Sequence, residues 1–145
     1  MTRLSLTNRQ HFRPVKLRVL RRVLQPLIAE LLDNSNCDLS ICLISSVQMA
    51  RLNESFLRHA GPTDVLAFDY SEPGDKTLRG EIFVCVEVAV SQSRRFRTRW
   101  QSELIRYVIH GLLHLQGYDD HKPSNRARMK REENRLLKYV AGQFK

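Results

Sequence analysis

The feature that most constrains this chain is a predicted buried helix that carries two histidines, over residues 100–116. Its apolar residues recur with helical spacing at Leu104, Val108, Ile109, Leu112, Leu113 and Leu115. His110 and His114 lie four positions apart, so a helix places both imidazoles on one face, one turn from each other. Gly117 follows, and glycine commonly ends a helix in a left-handed conformation that reverses the chain. The fold must therefore bury this helix while leaving its histidine face able to form a site.

The spacing of the two histidines predicts a metal site, since adjacent coordination positions suit two imidazoles one turn apart. In the pattern HExxHxxGxxH, the glycine three residues after the second histidine precedes a third ligand six residues after it. Counted from His114, that position is Asp120. Imidazole is the commoner zinc ligand, which instead favours His121. The residues alone therefore leave Asp120 and His121 as two candidates for a third ligand beside His110 and His114.

The residue after the first histidine argues against one class of metalloenzyme. Peptidases with the HExxH pattern need a glutamate there as the general base. This chain has Gly111 at that position. The sequence therefore disfavours a metallopeptidase of that type.

The remaining patterns predict an α+β fold in a single domain over residues 1–145. Helices are expected at 14–32, 46–56, 89–96 and 124–140, with Ser46 and Ser124 as N-caps, and strands at 39–45, 65–70 and 81–88. Residues 71–80 are expected to form a loop. We expect a small mixed β-sheet packed by several helices, with the metal site at the end of a central helix.

Charge indicates the kind of partner. Lys and Arg number 24 against 15 Asp and Glu, a formal net charge of +9 that attracts polyanions, nucleic acid foremost. No apolar run approaches the roughly 20 residues that span a bilayer, and we identify no secretion signal. The odd set of three cysteines indicates reduced thiols in a cytoplasmic protein, and Cys42 and Cys85 lie in apolar runs that predict core packing.

Three segments of the chain resemble the motifs of one protein family. HGLLHLQGYDDH, 110–121, resembles its signature HGxxHLxGYDH. LNESFLRHAGPTDVLAF, 52–68, resembles LNxxYRxxDxPTDVLSF, and RGEIFVCVEVAV, 79–90, resembles the GDIxISxDxA segment. The order and spacing of the three segments also agree, so the chain resembles the YbeY family of bacterial rRNA-maturation endoribonucleases.

The resemblance implies a zinc-dependent, single-strand-specific endoribonuclease that acts in the cytoplasm. Ribosomal RNA and the small ribosomal subunit would be its partners, at 3′-end maturation and in ribosome quality control, with no membrane partner. His114 would have a catalytic role as a metal ligand. The column of the family's third histidine holds Asp120 here, and His121 comes one position later. The resemblance thus implies one zinc ion on His110, His114 and Asp120, with His121 as the alternative third ligand. The family's arginine column holds Leu57, and Arg58 is next to it. Arg58 is a candidate catalytic residue, since Arg58 and Arg79 are expected to hold phosphate and offset the charge of the transition state.

Overall fold

Four strands form one mixed β-sheet in the computed structural model, which describes residues 2–33, 35–57, 63–118 and 120–140. The strands are β1 (Thr2–Asn8), β2 (Cys37–Ile44), β3 (Val65–Asp69) and β4 (Leu78–Cys85). Their order across the sheet is β1-β2-β4-β3. β1 and β4 both run parallel to β2, and β3 pairs antiparallel with β4. Ile82 of β4 lies between Ile41 of β2 and Ala67 of β3, which fixes the register at the centre of the sheet.

Five α-helices of the described ranges pack around this sheet. They are α1 (Leu17–Leu31), α2 (Ser46–Leu52), α3 (Val86–Phe96), α4 (Trp100–Leu115) and α5 (Pro123–Tyr139), and a π-helical turn, Asn53–Leu57, continues α2. No helix in the described ranges combines the length and the apolarity that crossing a membrane requires.

Alternate residues of the strands divide the core into two layers, because successive side chains of a strand point to opposite faces. Leu39, Ile41 and Leu43 of β2 belong to the larger layer, which includes the buried faces of α1 and α4. Cys42 and Ile44 belong to a smaller layer that contains Met49 of α2. The sheet therefore lies between the two layers, with α4 in the larger one.

α4 approaches the sheet closely at Gly111. A Cβ atom added there would lie 3.0 Å from Cγ2 of Ile82 and 3.3 Å from Cγ2 of Val65. Position 111 therefore faces the sheet, while His110 and His114 remain only partly buried. This arrangement is the predicted one, a central buried helix whose histidine face is accessible.

The predicted fold class is confirmed, with differences at several element boundaries. β1 was not predicted. β4 begins at Leu78, inside the predicted loop, and ends at Cys85, so the residues predicted to extend this strand to position 88 form the first turn of α3. Residues 82–86 are all apolar and largely β-branched or aromatic, and Val88 follows Glu87, so the pattern alone suggested a longer strand.

Both predicted N-caps are wrong. Ser45, one residue earlier than predicted, caps α2, and its hydroxyl accepts a hydrogen bond from the Gln48 amide in a capping box. The hydroxyl of Ser46 instead donates to Glu87 of α3 at 2.8 Å. α5 begins with Pro123 at its first position, where the missing amide hydrogen costs nothing, so Ser124 lies inside the helix.

Candidate metal centre

Three side chains converge at the C-terminal end of α4. Nε2 of His110 lies 3.0 Å from Nε2 of His114. Oδ2 of Asp120 lies 3.7 Å from each of these nitrogens. Within the described ranges these residues form a group whose ligand atoms all lie within 4.8 Å of one another.

The geometry and chemistry of this group fit a small divalent cation. Zinc binds imidazole nitrogen and carboxylate oxygen at about 2.0–2.2 Å, so tetrahedral ligand atoms lie about 3.4 Å apart. The observed separations of 3.0 and 3.7 Å lie on either side of that value. The side chains are 27%, 34% and 38% exposed for His110, His114 and Asp120, so one side of the group is open to solvent.

Glu133 of α5 sets the orientation of His110. Its Oε2 lies 2.6 Å from Nδ1 of His110, and Glu133 itself is buried. A carboxylate accepts but does not donate, so the ring proton belongs on Nδ1 and the lone pair of Nε2 is directed at the other two ligands. Burial lowers the pKa of His110, but the hydrogen bond and charge of Glu133, with smaller contributions from Asp64 and Asp120, outweigh it and raise the pKa.

Arg106 holds Glu133 in place. Its guanidinium donates to Oε1 of Glu133 at 3.2 Å and to the side-chain oxygen of Asn134 at 3.1 Å. Glu133 therefore uses one oxygen for an arginine and the other for a histidine. A buried carboxylate is stable only when it is compensated in this way.

The loop after α4 places Asp120. Gly117 has a φ of +96°, and its amide donates to the carbonyl of His114 at 3.0 Å. The amide of Tyr118 donates to the carbonyl of Leu113 at 3.0 Å, which completes a Schellman motif. The guanidinium of Arg126 then donates to the carbonyls of Asp120 at 3.4 Å and His121 at 3.1 Å. The predicted left-handed helix stop is confirmed.

The other predicted site residues do not join this group in the part of the chain described. His121 is exposed and is not among the three converging residues. Arg58 lies outside the described residues. Arg79 forms ion pairs with Asp75 at 3.1 Å and Asp38 at 3.5 Å.

Sequence reasoning missed Glu133, although the sequence contains a signal for it. Met129, Glu133 and Leu136 form the buried stripe of α5. An acidic residue in an apolar helical stripe needs a buried partner, and the central histidines were available. Arg106 was missed because it lies on the polar side of α4, where an arginine normally contacts only solvent.

Sequence comparisons with known proteins point to one family. The sequence model of the family described as Endoribonuclease YbeY matches residues 5–141. The Endoribonuclease YbeY of Salinibacter ruber is 34% identical over 145 residues, which cover 94% of this chain and 91% of that protein. That of Chlorobium luteolum is 42% identical over 90 residues, and the match covers 62% of this chain and 64% of the relative, under two thirds of its length.

A solved structure has a similar fold. The solution structure of TM1509 from Thermotoga maritima is 27% identical in sequence and has a TM-score of 0.66. The similarity covers 99% of this chain and 91% of that one. Taken with the family match over nearly the whole chain, the fold and the converging ligand group lead to one conclusion: this chain belongs to the Endoribonuclease YbeY family.

Proposed function

We propose that this protein is a zinc-dependent endoribonuclease that cleaves single-stranded ribosomal RNA in the cytoplasm. Its substrate would be the 3′ end of the small-subunit RNA, within the ribosomal small subunit, and it would also act in ribosome quality control. The observation that carries the proposal is the open group of His110, His114 and Asp120 in a chain of net charge +9 that belongs to this family. The three buried cysteines, which form no disulfide, are compatible with a cytoplasmic location.

Each residue of the centre has a distinct part in this proposal. His110, His114 and Asp120 would hold the ion, and Glu133 would keep the proton of His110 on Nδ1. When bound, zinc supplies Lewis acidity toward a phosphoryl oxygen and makes an attacking water more acidic. The open side of the group leaves room for a phosphodiester to approach the ligands.

The surroundings of Gly111 argue against a peptidase of the HExxH type. That mechanism needs a carboxylate base on the residue after the first histidine. Here a side chain at position 111 would meet Ile82 and Val65 of the sheet and would point away from the candidate metal centre. A glutamate at this position could not serve as the base.

The openness of the group argues against a purely structural ion. Structural zinc sites are usually closed by four protein ligands, whereas catalytic sites leave a position open. The described residues supply three ligand atoms, on side chains that are between 27% and 38% exposed. A set of three ligand atoms with an open side supports a catalytic ion rather than a structural one.

A cleavage assay tests the proposal. The substrate is a single-stranded RNA that spans a small-subunit 3′ end, and wild type, chelator-treated wild type and His114→Ala are compared. We expect cleavage by wild type, loss after chelation, recovery on adding zinc, and no cleavage by His114→Ala. Equal cleavage by all three samples would overturn the proposal, and no cleavage by zinc-loaded wild type would indicate a structural metal.

Two further variants identify the third ligand. We expect Asp120→Ala to lose both zinc and cleavage, because its carboxylate lies 3.7 Å from each histidine nitrogen. His121→Ala is the matched control, since it alters a ligand-type residue one position away. Loss of zinc in His121→Ala with retention in Asp120→Ala would reverse the assignment.

A further inference from the structure

A groove with a volume of about 470 Å³ opens beside the candidate metal centre. One face of α4 and one face of α5 form its walls, and its lining includes Glu103, Arg106, Arg126, Met129, Lys130 and Glu133. His110 and Asp120, two of the three converging residues, also line it. Its volume lies within the range of roughly 300–1,000 Å³ that is usual for small-ligand sites. A substrate held at the metal group could therefore extend into this groove.

Most charged groups in the groove already have partners. Arg106 pairs with Glu133, the guanidinium of Arg126 donates to two backbone carbonyls, and Glu103 accepts a hydrogen bond from Thr98. Lys130 is exposed, and within the described ranges its ammonium group makes no hydrogen bond or ion pair. Lys130 is therefore the cation available to a phosphate.

The groove also contains an exposed aromatic ring. Phe96 is the last residue of α3 and is 60% exposed. Arg97 follows in a left-handed conformation, with φ of +56°, and the amide of Thr98 donates to the carbonyl of Ser93 at 2.9 Å. The ring is therefore carried on a helix end whose backbone is fixed. An exposed aromatic ring beside a cation is the combination that binds single-stranded RNA, by base stacking and phosphate contact.

We propose that this groove binds one nucleotide of a single-stranded RNA next to the scissile phosphate, with its base stacked on Phe96 and its phosphate on Lys130. The proposal rests on the proposed function and adds a subsite to it. A base in a duplex is stacked on both sides and cannot reach a ring inside a groove. The subsite would therefore contribute to selection of single strands.

The test is equilibrium binding to the zinc-loaded protein. The ligand is an RNA tetranucleotide in which CH₂ groups replace both bridging oxygens of each phosphate, so that no P–O ester bond is left to hydrolyse and the negative charge is kept. One base at a time is replaced by 2-aminopurine, whose fluorescence falls when it stacks. We expect quenching at one position, a Kd raised about fivefold or more by Phe96→Ala, and recovery in Phe96→Tyr.

Phe12→Ala is the matched control. Phe12 is 49% exposed and has Arg13 5.9 Å from its ring centroid, as Phe96 has Arg95 at 5.5 Å, but Phe12 does not line the groove. We expect the Kd of Phe12→Ala for the tetranucleotide to equal that of wild type. For the cation, Lys130→Ala is compared with Lys138→Ala, an exposed lysine of α5 that is not among the groove residues.

An abasic nucleotide separates stacking from indirect effects. Removing the base at the quenched position should weaken wild-type binding as much as Phe96→Ala does, and the two changes together should weaken it no further. Additive losses, or an unchanged Kd in Phe96→Ala, would overturn the subsite. Base-dependent binding without any RNA cleavage would instead support the subsite and contradict the proposed nuclease activity.

Discussion

At the scale of single residues, Glu133 distinguishes His110 from an ordinary core histidine. Its carboxylate lies 2.6 Å from Nδ1, so in the neutral ring the proton is on Nδ1, and Nε2, which faces His114 and Asp120, carries none. Carboxylates that orient a ligating histidine in this way increase the affinity of the site. The lone pair that a metal needs therefore depends on a residue of another helix.

We expect Glu133→Gln to lower zinc affinity by about 10- to 100-fold, because the amide can still contact His110 but no longer provides the negative charge. Competition with a chromophoric chelator measures the affinity. Glu132→Gln is the control, since Glu132 is the adjacent residue and pairs with Arg135 instead of the metal group. Equal affinities for Glu133→Gln and wild type would contradict the role given to this carboxylate.

At the scale of elements, the end of α4 determines where Asp120 lies. We expect Gly117→Ala to destabilise the protein by about 1–2 kcal/mol, because an alanine is strained at a φ of +96°. A Cβ atom there would meet nothing within 4 Å, so the cost is one of backbone conformation. Urea denaturation of the metal-free protein measures this loss of unfolding free energy. The zinc affinity of Gly117→Ala should also fall, because the loop that places Asp120 relaxes.

Gly74→Ala is the control for that prediction. Gly74 also has a positive φ, +82°, and open space around its Cα, but it lies in the turn between β3 and β4. We expect a similar loss of stability with unchanged zinc affinity. If both variants bound zinc equally well, the conformation of Gly117 would have no part in placing Asp120.

The elements also indicate how much the sequence could predict. The two histidines and Gly117 lie within eight residues of one helix and its end, so local spacing was sufficient to find them. Glu133 lies on another helix, 23 positions after His110, so no local sequence pattern indicates their contact. Ser45 and Ser46 could each cap α2, and the choice depends on Glu87, which takes the hydroxyl of Ser46. Leu4 and Leu6 of β1 alternate with polar residues, but this short pattern is weak by itself, and the strand depends on its pairing with the distant β2.

At the scale of the whole molecule, the three cysteines are distributed over both layers of the core, so their reactivity can be used to probe each layer. Cys37 belongs to the larger layer, Cys42 and Cys85 belong to the smaller one, and all three are buried. Burial raises the pKa of each thiol, so the reactive thiolate is scarcer at a given pH than in an unfolded chain. We expect slow alkylation of the native protein at pH 8 and rapid reaction of all three thiols in denaturant, followed by intact mass spectrometry.

The relative alkylation rates of the three thiols indicate whether the two layers of the core open together. If the sheet and its two layers open as one cooperative unit, the three native thiols should react at a common rate. Faster labelling of Cys42 and Cys85 would show that the smaller layer opens by itself. Native labelling as fast as in denaturant would contradict the burial of these residues.

The charge of the whole molecule predicts how RNA binding responds to salt. With 24 basic and 15 acidic residues, binding should weaken steeply as salt rises, by a slope of about −0.7 in log K against log salt for each phosphate neutralised. The binding assay with the uncleavable tetranucleotide measures this slope between about 50 and 200 mM salt.

Lys130→Ala should make the slope shallower by about 0.7, because it removes one phosphate contact. Phe96→Ala should lower affinity at every salt concentration without changing the slope, because stacking releases no counterions. A flat salt dependence in wild type would contradict electrostatic binding, and a slope altered by Phe96→Ala would mean that this ring acts through phosphate contacts instead of the base.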